Sequence, residues 1–482
     1  MRIGGLASGM DIDSMVKKLM TAARVPLDKL NQQKQQLEWK REGYRTISTT
    51  LVGFNDKLTT FGRTDSINSK KATVTGASNV TATATGAAAN SVLNIKVSNL
   101  ATASSVVSTN GVANATKISE VYSNGAGSIT IGTATINFSA DETIDSLVKK
   151  INNDKNTGVT AVYDTASGKM SFTNRETGEK NITLSGDLLT SLGMTTVNKG
   201  MDAVVEINGL TTKQSSNNFT INGVNISLKG ATPAGETSQI QVSQDVDKMV
   251  ETVKSFVESY NATIATLNQK TSEERFRKFL PLSAEQKGDM KEDEIKLWET
   301  KAKSGMLRND SIIDKSLSDM RSAMITDVVL PDGSKINMTQ IGITTGKYSE
   351  NGKLVLDETK LRAALDADPE KVSALFGQTD YSTKTDFTPK DGLFNRLKKI
   401  DNVALASMYE KAGTSQVSSD LTTAFMVSSQ MGDQLRDFET KIADLNKRLT
   451  MKETQYYKQF TAMETAMNKY NSTSSSLTSM LS

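Results

Sequence analysis

The stretch GLASGMDIDSMVKKLM, residues 5–20, decides how the chain is organised, because its apolar residues share one helical face. That face consists of Ile12, Met15, Val16, Leu19, Met20 and Ala23, spaced as in an amphipathic helix. Glycines precede the stripe and Pro26 follows it closely, so we expect a short helix that is unstable alone. The stripe therefore needs a partner helix.

The next segment, residues 27–61, has the seven-residue spacing of a coiled coil. Leu30, Leu37, Tyr44, Leu51 and Leu58 form one row, and Ile47, Phe54 and Phe61 form the second row. Before Tyr44 the second row is polar, at Lys34 and Arg41. We expect a weak coiled coil up to Tyr44 and a packed bundle helix after it.

The C-terminal region repeats this pattern. The first row consists of Leu435, Ile442, Leu449, Tyr456, Met463 and Tyr470, and the second of Phe438 and Leu445, followed by Lys452 and Gln459. The pattern is expected to end in the polar tail NSTSSSLTSMLS. Because the polar interruptions weaken an isolated pair, we expect both ends to pack against each other and against copies in neighbouring subunits. A hairpin formed within one chain is the alternative.

The middle of the chain mixes strands and helices. Residues 70–108 alternate Val, Thr and Ala, and Asn208-Gly209 and Asn222-Gly223 predict two β-hairpins with type I′ turns. Ser139 with Glu142 has the spacing of a capping box for a helix after it. Helices return near residue 245, where Asp357 and Asp368 are predicted N-caps and Asp332-Gly333 a turn between short strands.

Composition excludes several kinds of chemistry. The chain has 482 residues with no Cys and no His, which rules out Cys-His and Ser-His-Asp catalysis, thiolate zinc and disulfides. A net charge of +3 indicates neither nucleic-acid binding nor membrane attachment, and no apolar run is long enough to insert into a membrane. The segment GGLASG lacks the spacing of a phosphate-binding loop. We therefore expect no enzyme activity, no cofactor and no metal.

Four stretches together resemble one family. They are residues 5–47, residues 207–230 (INGLTTKQSSNNFTINGVNISLKG), residues 298–310 (WETKAKSGMLRND) and residues 456–477. In this order they resemble the flagellar filament-capping proteins of the hook-associated protein 2 family. Residues 132–178 also resemble the flagellin hook repeat of flagellar axial proteins. Because the matches are spread over nearly the whole chain, their co-occurrence is more specific than any one of them.

The resemblance implies an α+β multidomain fold with nested domains. It implies terminal coiled-coil segments that are disordered before assembly (1–42 and 430–482), a helical-bundle leg domain with a small β element (43–70 and 246–429), a β-rich head domain (71–103 and 201–245) and an inserted outer head domain (104–200). The residues expected to mediate oligomerisation and filament docking are Ile12, Met15, Leu19, Leu30, Leu37, Leu435, Phe438, Ile442, Leu445, Leu449, Tyr456, Met463 and Tyr470.

The implied function is a structural cap at the distal end of the flagellar filament, exported by the type III route. Such a cap retains exported flagellin and promotes its folding and insertion. The implied partners are other copies of the chain in an annulus, flagellin, hook–filament junction proteins and an export chaperone at the C-terminal segment. The alternative is a surface adhesin acting through the β-rich head, and an enzyme without His or Cys is the third hypothesis.

Overall fold

The computed structural model describes residues 11–481. The segment GGLASG therefore lies outside the described residues. The helices are Ile12–Phe61 (α1), Thr64–Ile67 (α2), Ile118–Val121 (α3), Ile144–Asn153 (α4), Asp187–Ser191 (α5), Val246–Ser272 (α6), Ala284–Gly288 (α7), Glu292–Lys303 (α8), Ser311–Ile325 (α9), Glu358–Ala367 (α10), Pro369–Gly377 (α11), Leu393–Ala412 (α12) and Gln430–Leu481 (α13).

The strands are concentrated in the middle of the chain. They are Lys70–Gly76 (β1), Val80–Ala84 (β2), Ser91–Asn99 (β3), Ala103–Val107 (β4), Gly127–Ile131 (β5), Ala134–Phe138 (β6), Val159–Asp164 (β7), Lys169–Thr177 (β8), Leu184–Ser185 (β9), Val197–Asn198 (β10), Ala203–Ile207 (β11), Leu210–Gln214 (β12), Asn218–Ile221 (β13), Val224–Leu228 (β14), Ser238–Gln244 (β15), Val328–Val329 (β16), Lys335–Ile336 (β17), Ile343–Thr345 (β18) and Leu354–Leu356 (β19). This mixture of helix and sheet with long terminal helices confirms the predicted α+β class.

The structure separates into two compact units. The first unit combines the described residues up to Arg63 with those from Val250 onward, and the second runs from Thr64 to Met249. The long terminal helices α1 and α13 thus belong to the same unit, and the second unit is inserted between them in the sequence.

The first unit is a helical bundle formed by the later part of α1 with α6, α9 and α12. Its centre is an aromatic cluster in which the Phe256 and Phe394 rings are 5.0 Å apart and the Phe376 and Phe394 rings 5.2 Å apart. Phe54 packs edge-on to Tyr260 at 6.5 Å. Offset and edge-on aromatic packing stabilises a core beyond its buried area. This cluster anchors α1 to the bundle.

The second unit contains two apolar cores. One lies between a five-stranded sheet of order β1-β15-β3-β11-β12 and a three-stranded sheet of order β13-β14-β2, and includes Ile95, Val205, Ile226 and Ile240. The other core draws on the sheets β10-β4-β8-β7 and β6-β5-β9 and on α4. Chain order places the elements of the second core between β3 and β11, so the chain leaves the first core and later returns to it.

The turns at Asn208-Gly209 and Asn222-Gly223 join β11 to β12 and β13 to β14, as predicted. All four residues have positive φ, between 47° and 88°. Type I′ turns require this conformation at both central residues, and Asn followed by Gly adopts it with little strain. Asp357 and Asp368 also accept backbone N–H groups as N-caps of α10 and α11, which confirms those predictions.

Three local predictions are wrong. Pro26 does not end the first helix, because α1 continues through it to Phe61 and packing on both sides of Pro26 offsets its missing hydrogen bond. The N-cap of α4 is Thr143 rather than Ser139, although Glu142 still accepts the Ser139 N–H. The tail remains helical to Leu481, and hydroxyls such as that of Thr473 donate to carbonyls four residues earlier, a bond that Ser and Thr can make without leaving the helix.

Candidate functional site: the terminal helix pair

The terminal helix pair, defined as residues 12–40 of α1 together with α13, is antiparallel. The Tyr457 hydroxyl donates to Asp13 Oδ1 at 3.0 Å, and the Lys34 ammonium lies 3.0 Å from Glu439 Oε1. The contact that lies later in α1, at Lys34, thus lies earlier in α13, so the two helices run in opposite directions. The hydrogen bond to Glu439 raises the pKa of Lys34. Lys34, predicted to interrupt the row, is therefore neutralised by the partner helix.

The N-terminal stripe is covered by α13. Ile12, Val16 and Met20 are buried, and the half-buried residues packed on them are Ala23, Leu449, Tyr456, Tyr457 and Phe460. Asp11 caps α1 by accepting the Ser14 N–H at 3.0 Å and the Ser14 hydroxyl at 2.6 Å, and the hydroxyl bond lowers the pKa of Asp11. The stripe at the start of the chain thus has its partner in the last helix of the same chain.

The predicted site residues divide into three groups by burial. Ile12 is buried, whereas Leu19, Met463 and Tyr470 are exposed. The remaining nine are half-buried: Met15, Leu30, Leu37, Leu435, Phe438, Ile442, Leu445, Leu449 and Tyr456. A two-helix pair covers each of these side chains on one flank only.

The seam of α13 shifts by one residue after Leu449. Half-buried positions continue at Glu453, Tyr456, Phe460, Glu464 and Met467. In a seven-residue repeat, buried positions follow each other at alternating steps of three and four residues. Where a step of four replaces a step of three, the repeat contains a stutter, and the supercoil is locally unwound.

This shift corrects two features of the predicted seam. Lys452 and Gln459 are exposed, so they do not interrupt it, and Met463 and Tyr470 rotate out of it. Strict seven-residue counting also missed Tyr457 and Phe460. Their aromatic character one position from the predicted rows was the signal available in the sequence.

A groove of about 630 Å³ opens beside the base of the pair. Two predicted site residues, Leu37 and Phe438, line it together with Met306, and its polar lining includes Lys40 and Lys441. The groove leaves apolar side chains of both terminal helices accessible at the same place.

Arg41 anchors the base of the pair. Its Nε donates to the Ala412 carbonyl at 2.7 Å and its Nη2 to the Met426 carbonyl at 2.8 Å. The Phe425 ring lies 4.2 Å from the Arg41 guanidinium and 3.8 Å from that of Arg45. Cation–π contacts and hydrogen bonds to carbonyls hold the loop that precedes α13 against α1. Arg41 was predicted only as an interruption of the apolar row, so its anchoring role was missed.

Two features are absent from the part of the chain that the structure describes. Between residues 11 and 481 no cluster of three or more carboxylates is positioned to hold a metal ion. In the same range no helix combines the length and apolar character needed to cross a membrane.

Comparison with known proteins identifies similarity along the chain. Models described as flagellar hook-associated protein 2 N-terminus and C-terminus match residues 8–104 and 200–472, and a flagellin hook IN motif matches residues 123–176. The chain is 33% identical to flagellar hook-associated protein 2 of Halalkalibacterium halodurans, with 99% of each chain covered. It is 25% identical to the Escherichia coli K12 protein of the same name, covering 98% of this chain and 96% of that protein.

The fold also resembles a solved structure. The crystal structure of the flagellar cap protein FliD D1-D2-D3 domains from Escherichia coli aligns with a TM-score of 0.56 at 22% identity. The alignment covers 78% of this chain and 97% of that one. At this identity the likeness concerns the fold.

Proposed function

Because this chain belongs to the flagellar hook-associated protein 2 family, we propose that it caps the distal end of a bacterial flagellar filament. In this role it retains exported flagellin and promotes its folding and insertion as the filament grows. The role is structural, and it requires no catalytic residue, cofactor or metal. The whole-length similarity to curated relatives supports the proposal, since both terminal regions and the inserted motif are matched in order.

The observation that carries the mechanism is the half-covered seam of the terminal helix pair. Leu435, Ile442 and Leu445 each keep one flank accessible after α1 has packed on α13. Completing the burial of one such side chain contributes about 1 kcal/mol. Because every subunit repeats the same seam, helices from neighbouring subunits or from flagellin can add this gain at many positions. We therefore assign oligomerisation and filament docking to the nine half-buried residues, whereas Ile12, which α13 already covers, stabilises the pair itself.

The end of α13 suits a partner that binds before assembly. From Tyr470 to Met480 the helix carries no charged residue, and Tyr470, Leu477 and Met480 are exposed. Apolar side chains exposed on an uncharged helix end are an aggregation hazard in a free subunit. We propose that an export chaperone covers it before the chain leaves through the type III apparatus, and that the protein then acts outside the cell beside the hook–filament junction proteins.

The test is deletion of the gene for this chain, followed by complementation. We expect cells without it to be non-motile, to lack full-length filaments and to release unpolymerised flagellin into the medium. Electron microscopy and immunoblots of the culture medium measure both effects. Normal filaments with reduced surface attachment would contradict capping and support the adhesin alternative, which no feature described above favours.

A further inference from the structure

A cavity of about 250 Å³ lies in the first unit between α6, α9 and the β18–β19 hairpin. Its volume equals roughly eight water molecules at about 30 Å³ each, which is room for one side chain. Met324 and Leu354 provide apolar walls, and Arg321 and Tyr260 provide polar groups. The cavity is separate from the terminal helix pair and from the groove at its base.

Arg321 has no acidic partner among the described residues. Its Nη2 donates to Asn268 Oδ1 at 2.9 Å, and within residues 11–481 no carboxylate pairs with it. Its Nε is buried without a hydrogen-bond partner beneath Gly352, where an added Cβ would lie 2.9 Å away. A half-buried guanidinium without a counter-ion is costly, and its planar donors match a carboxylate.

Tyr260 presents a second unused donor. Its side chain is fully buried, and no described residue accepts a hydrogen bond from its hydroxyl. Burial raises the pKa of Tyr260 while the positive charge of Arg321 opposes that rise, so the two groups are close enough to interact. Because Tyr260 lines the cavity, its hydroxyl is available to donate to a group that enters there.

The rim of the cavity is apolar and exposed. Ile325 is 64% exposed, and Tyr348 projects fully into solvent. The acidic residue beside the rim, Glu350, is already engaged, since it accepts the Lys347 N–H at 2.8 Å and lies 3.6 Å from the Lys353 ammonium. A ligand that enters the cavity therefore lies near the positive charge of Arg321 and contacts the apolar side chains of Ile325 and Tyr348 at the rim.

We infer that this cavity binds the carboxylate of a glutamate or aspartate on a partner polypeptide. The carboxylate accepts hydrogen bonds from Arg321 and Tyr260, and apolar residues beside the acidic residue pack on Ile325 and Tyr348. A protein segment is favoured over a small free acid because a ligand that extends beyond the cavity also buries apolar surface on the exposed rim. The inference does not rest on the capping role.

The experiment is calorimetric titration of the full chain with the peptide acetyl-Ala-Leu-Glu-Leu-Ala-amide. We expect saturable binding that weakens at least about tenfold when Gln replaces Glu in the peptide, as charge-assisted hydrogen bonds require. Glutarate should bind much more weakly than the peptide. Equal affinity for the Gln peptide, or for glutarate, would overturn the inference, as would the absence of binding at millimolar peptide.

Variants separate binding from folding. Arg321→Gln should weaken peptide binding at least about tenfold, whereas Arg308→Gln, which removes the same charge at an exposed site, should not change it. Tyr260→Phe should weaken binding severalfold without lowering the melting temperature, because its hydroxyl has no partner to lose. A clearly lower melting temperature for Tyr260→Phe would show that the hydroxyl has a structural partner such as water, and would contradict the inference.

Discussion

Asp401, in the middle of α12, is a buried carboxyl group whose ionisation opposes folding. Its side chain is fully buried, and neither carboxyl oxygen has a hydrogen-bond partner. Leu397 and Leu405, one turn before and after it, are also buried. Burial raises the pKa of Asp401 well above its ordinary value. Replacement of Asp401 by Asn keeps the shape of the side chain and removes the titrating group.

The expected gain follows from the unfolded state. An unfolded aspartate is ionised at pH 7, and each pH unit by which burial raises the pKa of a carboxyl costs about 1.4 kcal/mol of folding free energy above that pKa. A neutral amide side chain avoids this cost, so Asp401→Asn should raise the free energy of unfolding at pH 7 by about 2–4 kcal/mol. The sign follows from linkage. The pKa of Asp401 is higher in the folded than in the unfolded state. Its contribution to stability is therefore fully present below the pKa of the unfolded state and is lost as pH rises towards the pKa of the folded state.

Scanning calorimetry at pH 7.5 and pH 4.5 measures the effect. The transition of the first unit should move up by roughly 5–10 °C at pH 7.5 and by much less at pH 4.5. Asp444→Asn, which removes an exposed charge from α13, is the matched control and should change neither transition noticeably. A lower melting temperature for Asp401→Asn at pH 7.5, or an equal gain at both pH values, would refute the reasoning.

The other predictions concern the seam, a buried arginine and the chain ends. Phe460→Asp should abolish motility and Gln459→Asp should not, because the seam runs through Phe460; the reverse result in a swimming assay would restore the strict seven-residue seam. Arg396 is fully buried, with a pKa that burial lowers to about 10, and donates to five backbone carbonyls. Urea unfolding of Arg396→Lys should show a loss of about 3–5 kcal/mol, and a loss below about 1 kcal/mol would contradict this. Because the pair formed by residues 12–40 and α13 is mostly exposed or half-buried, limited proteolysis of the monomer should trim residues 1–40 and 429–482; full protection would show that this pair is stable within one chain without neighbouring subunits.

Local signals predicted much of the fold. The turn at Asn222-Gly223 and the cap at Asp368 follow from the backbone preferences of a few neighbouring residues. A distant contact could change them only at a cost in free energy. Pro26 shows the opposite case. Proline inside a helix costs about 3 kcal/mol of stability, and the free energy gained by packing along the rest of α1 exceeds this cost.

The candidate site was predicted less completely, for a different reason. The rows of Leu435 and Ile442 were visible as a period, but the shift to Phe460 depends on how α13 turns against the start of α1. The cavity at Arg321 and Tyr260 joins residues from separate helices and a hairpin. The spacing of residues in the sequence therefore could not predict that these side chains lie together.

The central claim, that the half-covered seam of the terminal helix pair is an assembly surface, is tested most directly with Ile442→Asp. Ile442 is half-buried on α13, and Asn446→Asp adds the same charge one turn later at an exposed position. Sedimentation velocity beside a melting curve and a swimming assay should show that Ile442→Asp loses oligomers and motility while the bundle melts nearly as in the wild type, and that Asn446→Asp changes none of these. Wild-type oligomers and normal swimming of Ile442→Asp would contradict the claim.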